Sequence, residues 1–205
     1  MKVVITCEQS QTVCIAFRDL GIEAYSCDIQ PCSIFGRPEW HIQGDAVKVA
    51  YSGNWDLMIG HPPCTKLSNC GARHMYKGGV LQENRLAEAM AAKEFFLKLL
   101  NAPIPMIAIE NPTPLKVVGL PEPSQVIQPY MFGDPYSKRT LLWLKGLPQL
   151  TPTQVLTEYK PFLQSGGKNA ELSKVRGRSR SKTFEGIARA MAEQWGKILL
   201  EQKAA

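Results

Sequence analysis

A short apolar run, Leu57-Met58-Ile59, stops abruptly at Gly60-His61-Pro62-Pro63-Cys64. Such a run, closed by a Pro-Pro pair, reads as a buried strand ending in a stiff loop. The loop carries a thiol at its tip. On the Pro-Pro-Cys tripeptide alone, Cys64 reads as a small buried hydrophobe sooner than as a reactive group. Two other runs have the same form: residues 3–6, Val-Val-Ile-Thr, and Met106-Ile107-Ala108-Ile109, which ends in Glu110-Asn111-Pro112. Open α/β sheets bind ligands in the crevice outside the carboxyl ends of such strands. Cys64 and Glu110 would share that edge, although Glu110 taken alone reads equally as a salt-bridged surface acid.

The 205 residues suffice for one sizeable core and leave little room for a second, so a single domain is expected over 1–205. Hydrophobic residues make up 44% and charged residues 20%, the balance of a globular protein. No apolar run reaches the roughly 18 residues of a membrane span, and the start, Met1-Lys2-Val3-Val4, reads as a first strand with no secretory signal. A reducing, cytoplasmic setting is therefore expected, in a bacterial or phage-infected cell if the resemblance described below holds. The six cysteines contain no Cys-x-x-Cys pair and are expected as free thiols. His41, His61 and His74 lack the close spacing of a zinc site, so no metal is expected. A formal charge of +6 is a mild bias toward polyanionic partners.

Taken in order, residues 3–6 predict a strand, residues 13–17 a helix ending at Leu20-Gly21, and residues 24–27 a second strand closing on Asp28. Strand, helix, strand and acid open a nucleotide-binding α/β unit, in which the acid bonds ribose hydroxyls. The usual glycine-rich turn is missing, because Cys7-Glu8-Gln9-Ser10-Gln11-Thr12 has no glycine. Asp45, after Gly44, is placed either to meet a cofactor's base or to cap a short helix from Ala46. Residues 65–79 form a polar loop, read as a lid or a surface excursion. A helix is expected from near Leu81, with Leu86, Ala89, Met90, Leu97 and Leu100 as its core stripe.

Residues 125–128 read as a short strand, Phe132-Gly133-Asp134-Pro135 as a turn, and residues 137–144 as a strand with Lys138 and Arg139 at its start. Residues 149–181 lose periodicity and lead into a basic run of Lys168, Lys174, Arg176, Arg178, Arg180 and Lys182. Such a run is a solvated surface or a grip on phosphates. The chain closes with a helix from Phe184 to about Glu201, capped at Thr183 with Glu185 in its first turn, and Ile187, Met191, Ile198 and Leu199 on one side.

In this order the pieces resemble the DNA (cytosine-5) methyltransferase family over most of the chain except 149–181. The cofactor loop and helix of the family look like residues 7–21, and its acid-Ile-x-Pro segment looks like Asp28-Ile29-Gln30-Pro31. Its Gly-Asp segment is similar to Gly44-Asp45. The Pro-Pro-Cys nucleophile loop, with a serine four residues on, matches Pro62-Pro63-Cys64 and Ser68, and Glu110-Asn111-Pro112 resembles the Glu-Asn-Val motif. The Phe-Gly-x-Pro segment with its arginine strand is similar to residues 132–140, with Thr140 where the family has a second arginine.

The resemblance implies a Rossmann-like, S-adenosylmethionine-dependent fold, a mostly parallel sheet flanked by helices in which the strand after Arg139 has an antiparallel neighbour. It implies Cys64 as a thiolate adding to carbon 6 of cytosine, Glu110 protonating the ring nitrogen, and Arg139 or Lys138 as the cation at the exocyclic oxygen. It implies a cofactor held by Cys7, Glu8, Gln9, Ser10, Asp28, Ile29, Asp45, Ala46 and Pro63. The stretch 149–181 stands as a short basic insert where the family carries a target-recognition region, as in compact phage forms. Little or short sequence preference, an accessory protein partner, or single-stranded rather than duplex DNA is then expected. The alternatives are an amino-methyltransferase, whose Asp-Pro-Pro-aromatic loop His61-Pro62-Pro63 partly resembles, and a non-catalytic nucleic-acid-binding relative of the same fold.

Overall fold

The computed structural model describes residues 1–34, 36–69, 75–162 and 182–204. In chain order the elements are β1 (Lys2–Thr6), α1 (Thr12–Asp19), β2 (Glu23–Asp28), β3 (His41–Gln43), α2 (Ala46–Ser52) and β4 (Leu57–Gly60). Then come β5 (Tyr76–Lys77), β6 (Val80–Leu81), α3 (Glu83–Leu100), β7 (Met106–Asn111) and β8 (Gln125–Ile127). The chain ends with β9 (Tyr136–Ser137), β10 (Thr140–Lys145), β11 (Lys160–Pro161) and α4 (Glu185–Ala204).

Among the described residues, seven strands form one sheet in the order β3-β2-β1-β4-β7-β10-β8. β3, β2, β1, β4 and β7 are parallel, while β10 runs antiparallel to both β7 and β8. The chain thus has the mostly parallel, Rossmann-like α/β architecture expected for a methyltransferase domain, with the strand that follows Arg139 reversed. Strand order changes direction between β1 and β4. That switch opens a crevice at the carboxyl ends of the strands.

The two-residue period of a strand divides the core. Val3, Ile5, Leu57, Ile59 and Ala108 face one side, where α1 and α4 cover them with Phe17, Met191 and Trp195. Val4, Met58, Ile107 and Ile109 face the other, against Ala50 of α2 and Phe96 and Leu99 of α3. Both faces are covered, which is why the central strands are apolar throughout rather than alternating. A Cβ on Gly196 would fall 2.6 Å from Ile22 Cδ1, so this glycine lets α4 lie close against the turn that follows α1.

Some boundaries and faces depart from expectation. Leu81 belongs to the β5–β6 hairpin, and α3 starts at Glu83. Its buried residues are Ala89, Phe96 and Leu99, whereas Met90 is exposed and Leu86, Leu97 and Leu100 are half-buried. The expected stripe had the right period but was rotated toward solvent. Lys138 and Arg139 lie in the turn before β10, not in the strand. At the start of α4, the Gly186 N–H donates to Asp134 Oδ2 at 2.9 Å and the Ala188 N–H to the Phe184 carbonyl at 2.9 Å. The capping carboxylate therefore arrives from the 132–135 turn. Among the described residues, no helix is long and apolar enough to cross a membrane.

Candidate active site

The first loop of the site, residues 7–11, manages without glycine by an unusual route. Cys7 and Gln11 both adopt the left-handed conformation, with φ of 60° each. Glycine supplies such a turn without strain, whereas here two side chains are forced into it. Both are anchored. Gln11 is fully buried; its Nε2 donates to Ser26 Oγ and to the Arg37 carbonyl, each at 3.0 Å, and its Oε1 accepts the Arg37 N–H at 2.5 Å. Ser26 and His41 extend this network: His41 Nε2 meets the Gln30 carbonyl at 2.9 Å and Nδ1 meets the Ser26 hydroxyl at 2.8 Å. That bonding makes Nε2 the donor and Nδ1 the acceptor. Loops after β1 and β2 are thereby held in one arrangement.

Glu8 and Ser10 serve the helix behind this loop. Glu8 is 4% exposed, and its carboxyl accepts the N–H groups of Val13 at 2.6 Å and Cys14 at 3.2 Å, donors that α1 cannot satisfy internally. Ser10 Oγ accepts from the Thr12 hydroxyl at 3.1 Å. Burial pushes the Glu8 carboxyl above its ordinary range, against the pull of the His61 charge and the two N–H donors.

Outside the ends of β1, β2, β3 and β4 lies a cavity of about 390 Å³ lined by Cys7, Asp28, Ile29, Gln30, Gly44, Asp45, Ala46, Pro63, Ala92 and Phe95. The sequence reading supplied six of these. Glu8, Gln9 and Ser10 lie in the adjoining loop and do not line it. Asp28 sits at the end of β2, where its Oδ1 accepts the Gln30 N–H at 2.8 Å. Asp45 caps α2 through Oδ1, accepting from Val47 N at 2.8 Å and Lys48 N at 3.0 Å, and also lines the cavity. Cap and cavity-lining acid are here the same residue. Ile29, 71% exposed, and Phe95 add apolar surface. Burial, with the charges of Asp28, Cys27 and Asp45, pushes the Cys7 thiol up to about 12, so it is protonated and inert as a nucleophile. Cys14, Cys27 and Cys32 are free thiols as expected.

The second half of the site adjoins the first. β4 and β7 pair in parallel with Gly60 opposite Ile109, which brings the two loops that follow them side by side. A Cβ on Gly60 would fall 2.7 Å from Ile109 Cδ1, so the absent side chain leaves room for the Ile109 side chain beside the end of β4. Asn111 Nδ2 donates to the Pro62 carbonyl at 2.8 Å, and the Cys64 carbonyl accepts from Ser68 N at 2.8 Å and Leu67 N at 3.1 Å. The Pro-Pro-Cys loop is fastened at both ends. Glu110 Oε2 lies 3.2 Å from His61 Nδ1. Burial pushes the Glu110 carboxyl up, but the His61 hydrogen bond and charge and the charge of Lys138 outweigh it, and the net shift is downward.

Lys138 thus exerts its charge on Glu110, and its ammonium also stands 5.8 Å from the ring centres of Phe162 and Phe184. Arg139 is exposed, and Thr140 is buried with its hydroxyl donating to the Lys138 carbonyl at 3.1 Å. Of the basic run, Lys182 is exposed; Lys168, Lys174, Arg176, Arg178 and Arg180 lie outside the described residues. Sequence reasoning missed Gln30, Gly44, Ala92 and Phe95 in the cavity and the pairing of His61 with Glu110. The adjacent Phe95-Phe96 pair was the available signal, since two neighbouring aromatics on a helix cannot both face one core.

No protein-family model matches the chain, and no curated protein matches its sequence. Solved structures do match. One is an E. coli protein assigned as a DNA modification methyltransferase encoded within a prophage, with 15% identity over 76% of this chain and 51% of that one, TM-score 0.46. Another is the S. pombe Dnmt2 methyltransferase, with 14% identity over 73% and 51%, TM-score 0.45. A third is the Entamoeba histolytica methyltransferase EhMeth, with 15% identity over 76% and 57%, TM-score 0.42. The chain spans about half the length of the structures it matches.

Proposed function

We propose that the protein is an S-adenosylmethionine-dependent methyltransferase acting at carbon 5 of cytosine in DNA, with Cys64 as covalent nucleophile and one domain over 1–205. One observation carries the reading: Pro63 lines the switch-point cavity and the next residue is Cys64. A donor in the cavity and a base at the thiol would share a single wall.

The cavity fits such a cofactor in kind. Its volume falls in the roughly 300–1,000 Å³ range of small-molecule sites. It presents a carboxylate at the end of β2 for ribose hydroxyls, a second at Asp45 for an adenine amino group, and Ile29 and Phe95 as apolar surface for a flat ring. The loop at Cys7 would face the amino-acid portion. When bound, the sulfonium supplies an electrophilic methyl group.

The protein's own residues do the activating. Carbon 5 of cytosine is a weak nucleophile, and addition of the Cys64 thiolate at carbon 6 raises its electron density. Glu110, on the neighbouring strand end, would hydrogen-bond and protonate the ring nitrogen as the thiolate adds. Lys138, whose charge already acts on Glu110, is the better placed cation for the exocyclic oxygen; Arg139 is exposed beside it. Loss of the carbon 5 proton then expels the sulfur.

With only the short stretch 149–181 where the family carries a target-recognition region, the enzyme would favour single-stranded over duplex DNA, or act with an accessory protein, since extruding a base from a duplex costs a few kcal/mol. The basic run at 168–182 would be the main phosphate contact, and its neutralisation should weaken binding and lower the salt dependence.

The test is transfer of labelled methyl from S-adenosylmethionine to single-stranded and duplex DNA by the wild type and by Cys64→Ala, with the product nucleosides identified. Label found as 5-methylcytosine and lost in Cys64→Ala is the expected result. No transfer to either DNA by folded protein overturns the reading.

A further inference from the structure

We propose that His61 is the proton-holding partner of Glu110, a positioning residue that supplies the proton Glu110 passes to the base. The inference rests on the functional reading above and assigns the pair a task within it.

The two histidines among the described residues behave differently. His41 commits both ring nitrogens to the protein, through Ser26 and the Gln30 carbonyl. It is a structural histidine, as buried polar groups ordinarily are. The His61 side chain is only 9% exposed, yet it commits Nδ1 alone, to Glu110 Oε2, and its buried Nε2 has no hydrogen-bond partner among the described residues. Its ring is set between acids from two elements. Glu110 comes from β7, and Glu8, on the loop after β1, interacts electrostatically with it. Lys138, before β10, is the cation that faces Glu110.

This arrangement answers a difficulty in the proposed chemistry. Glu110 must give a proton to the ring nitrogen, but with His61 and Lys138 beside it the carboxyl is held in its ionised form. A carboxylate cannot donate. An imidazolium at 3.2 Å can replenish it.

Before addition, His61 carries protons on Nδ1 and Nε2, and Glu110 is ionised. As the Cys64 sulfur bonds to carbon 6, the electron pair of the carbon 5–carbon 6 double bond moves into the ring. The Nδ1 proton passes to Glu110, and the Glu110 proton passes to the ring nitrogen. His61 is left neutral with its proton on Nε2, and Glu110 is again a carboxylate. Once carbon 5 carries the methyl group that the bound cofactor would supply, the carbon 5 proton is lost to solvent, the sulfur leaves, and the ring-nitrogen proton returns through Glu110 to Nδ1.

His61→Asn is the decisive variant, because its amide nitrogen takes the place of Nδ1 as a donor to Glu110 while offering no transferable proton. Expected are a folded protein with unchanged cofactor affinity, KM for DNA within about threefold, and kcat down by about tenfold to a hundredfold, toward the lower bound of general acid catalysis. The shape of the pH–rate profile should change, because asparagine has no ring proton to pass on. His61→Asn with wild-type kcat and an unchanged pH profile would overturn the proposal. A second measurement is independent of turnover: in proton–nitrogen NMR of 15N-histidine protein at neutral pH, Nδ1 of His61 should carry a proton, and its resonance should move in Glu110→Gln. An unprotonated Nδ1, or a resonance indifferent to Glu110→Gln, overturns the pairing. Failure of wild-type methyl transfer would instead sink the enzymatic reading, while the NMR result still decides the state of the pair.

Discussion

Asn111 Nδ2 donates to the Pro62 carbonyl at 2.8 Å, fastening the end of β7 to the loop that carries Cys64. The bond crosses from the strand of the acid to the loop of the nucleophile, and Asn111 is itself buried. Asn111→Ala leaves that carbonyl without its donor and opens a small void, which should lower stability by about 1–3 kcal/mol in urea unfolding. Because a misplacement of about 1 Å can cost a hundredfold in rate, methyl transfer should fall by more than the stability loss explains. Transfer at the wild-type rate by folded Asn111→Ala would show that the tether does not position Cys64.

The left-handed residues of the first loop give a second prediction. At φ of 60°, Cys7 bears a strain that glycine lacks, about 1–2 kcal/mol, while its half-buried thiol returns some of that by packing. Cys7→Gly should therefore be within about 1 kcal/mol of the wild type in thermal unfolding and keep cofactor binding by calorimetry. Cys7→Val places a β-branched residue at the same angle and should lose at least about 2 kcal/mol. Equal stability of the glycine and valine variants would refute the backbone argument.

This loop also marks where the sequence could and could not be read. The apolar runs at residues 3–6, 57–59 and 106–109 located the three central strands, because burial on both faces leaves no other composition for them. Asp28, Asp45 and Pro63 fell into place at strand ends, since the topology sends every parallel strand's carboxyl end to one edge. The glycine-free loop was legible only as an anomaly. Its solution depends on Gln11 reaching Ser26 and Arg37, contacts far apart in sequence and invisible to local pattern. Glu8 was expected in the cofactor loop, and its side chain turns inward to α1, a choice made by unsatisfied N–H groups close in space but not in local pattern. The α3 stripe was legible only in part for a related reason: several faces of that helix are apolar, and only packing on β7 and α2 selects Phe96 and Leu99 as its deepest residues.

Asp28 and Asp45 can each be separated into structural and ligand-facing roles. Asparagine keeps an oxygen that accepts the backbone N–H groups now bound to Oδ1, and it caps helices as well as aspartate. Asp28→Asn and Asp45→Asn should therefore melt within about 0.5 kcal/mol of the wild type. Both lose the charge and the acceptor-only second oxygen, and calorimetry should find cofactor affinity down about tenfold, the worth of one charge-assisted bond. Unaltered affinity in Asp45→Asn would reduce that residue to a helix cap.

Glu8 carries the pH prediction. Its carboxyl is raised above the ordinary 4.5 chiefly by burial, so the folded protein holds this proton more tightly than the unfolded chain does. The stability it contributes is complete below about pH 4.5 and is lost as pH rises through the folded value. Glu110 is shifted downward and works in the opposite sense, contributing above the unfolded value and losing that contribution as pH falls. A single melting curve therefore mixes the two. The difference between wild type and Glu8→Gln isolates the first, since Glu110 is present in both. Glutamine retains an oxygen for the Val13 N–H and has no charge to bury. Relative to the wild type, Glu8→Gln should gain stability as pH rises from 4.5 through the folded value, in thermal melts taken at fixed ionic strength. A difference that stays constant over that interval would mean that the α1 N–H groups compensate the buried charge in full.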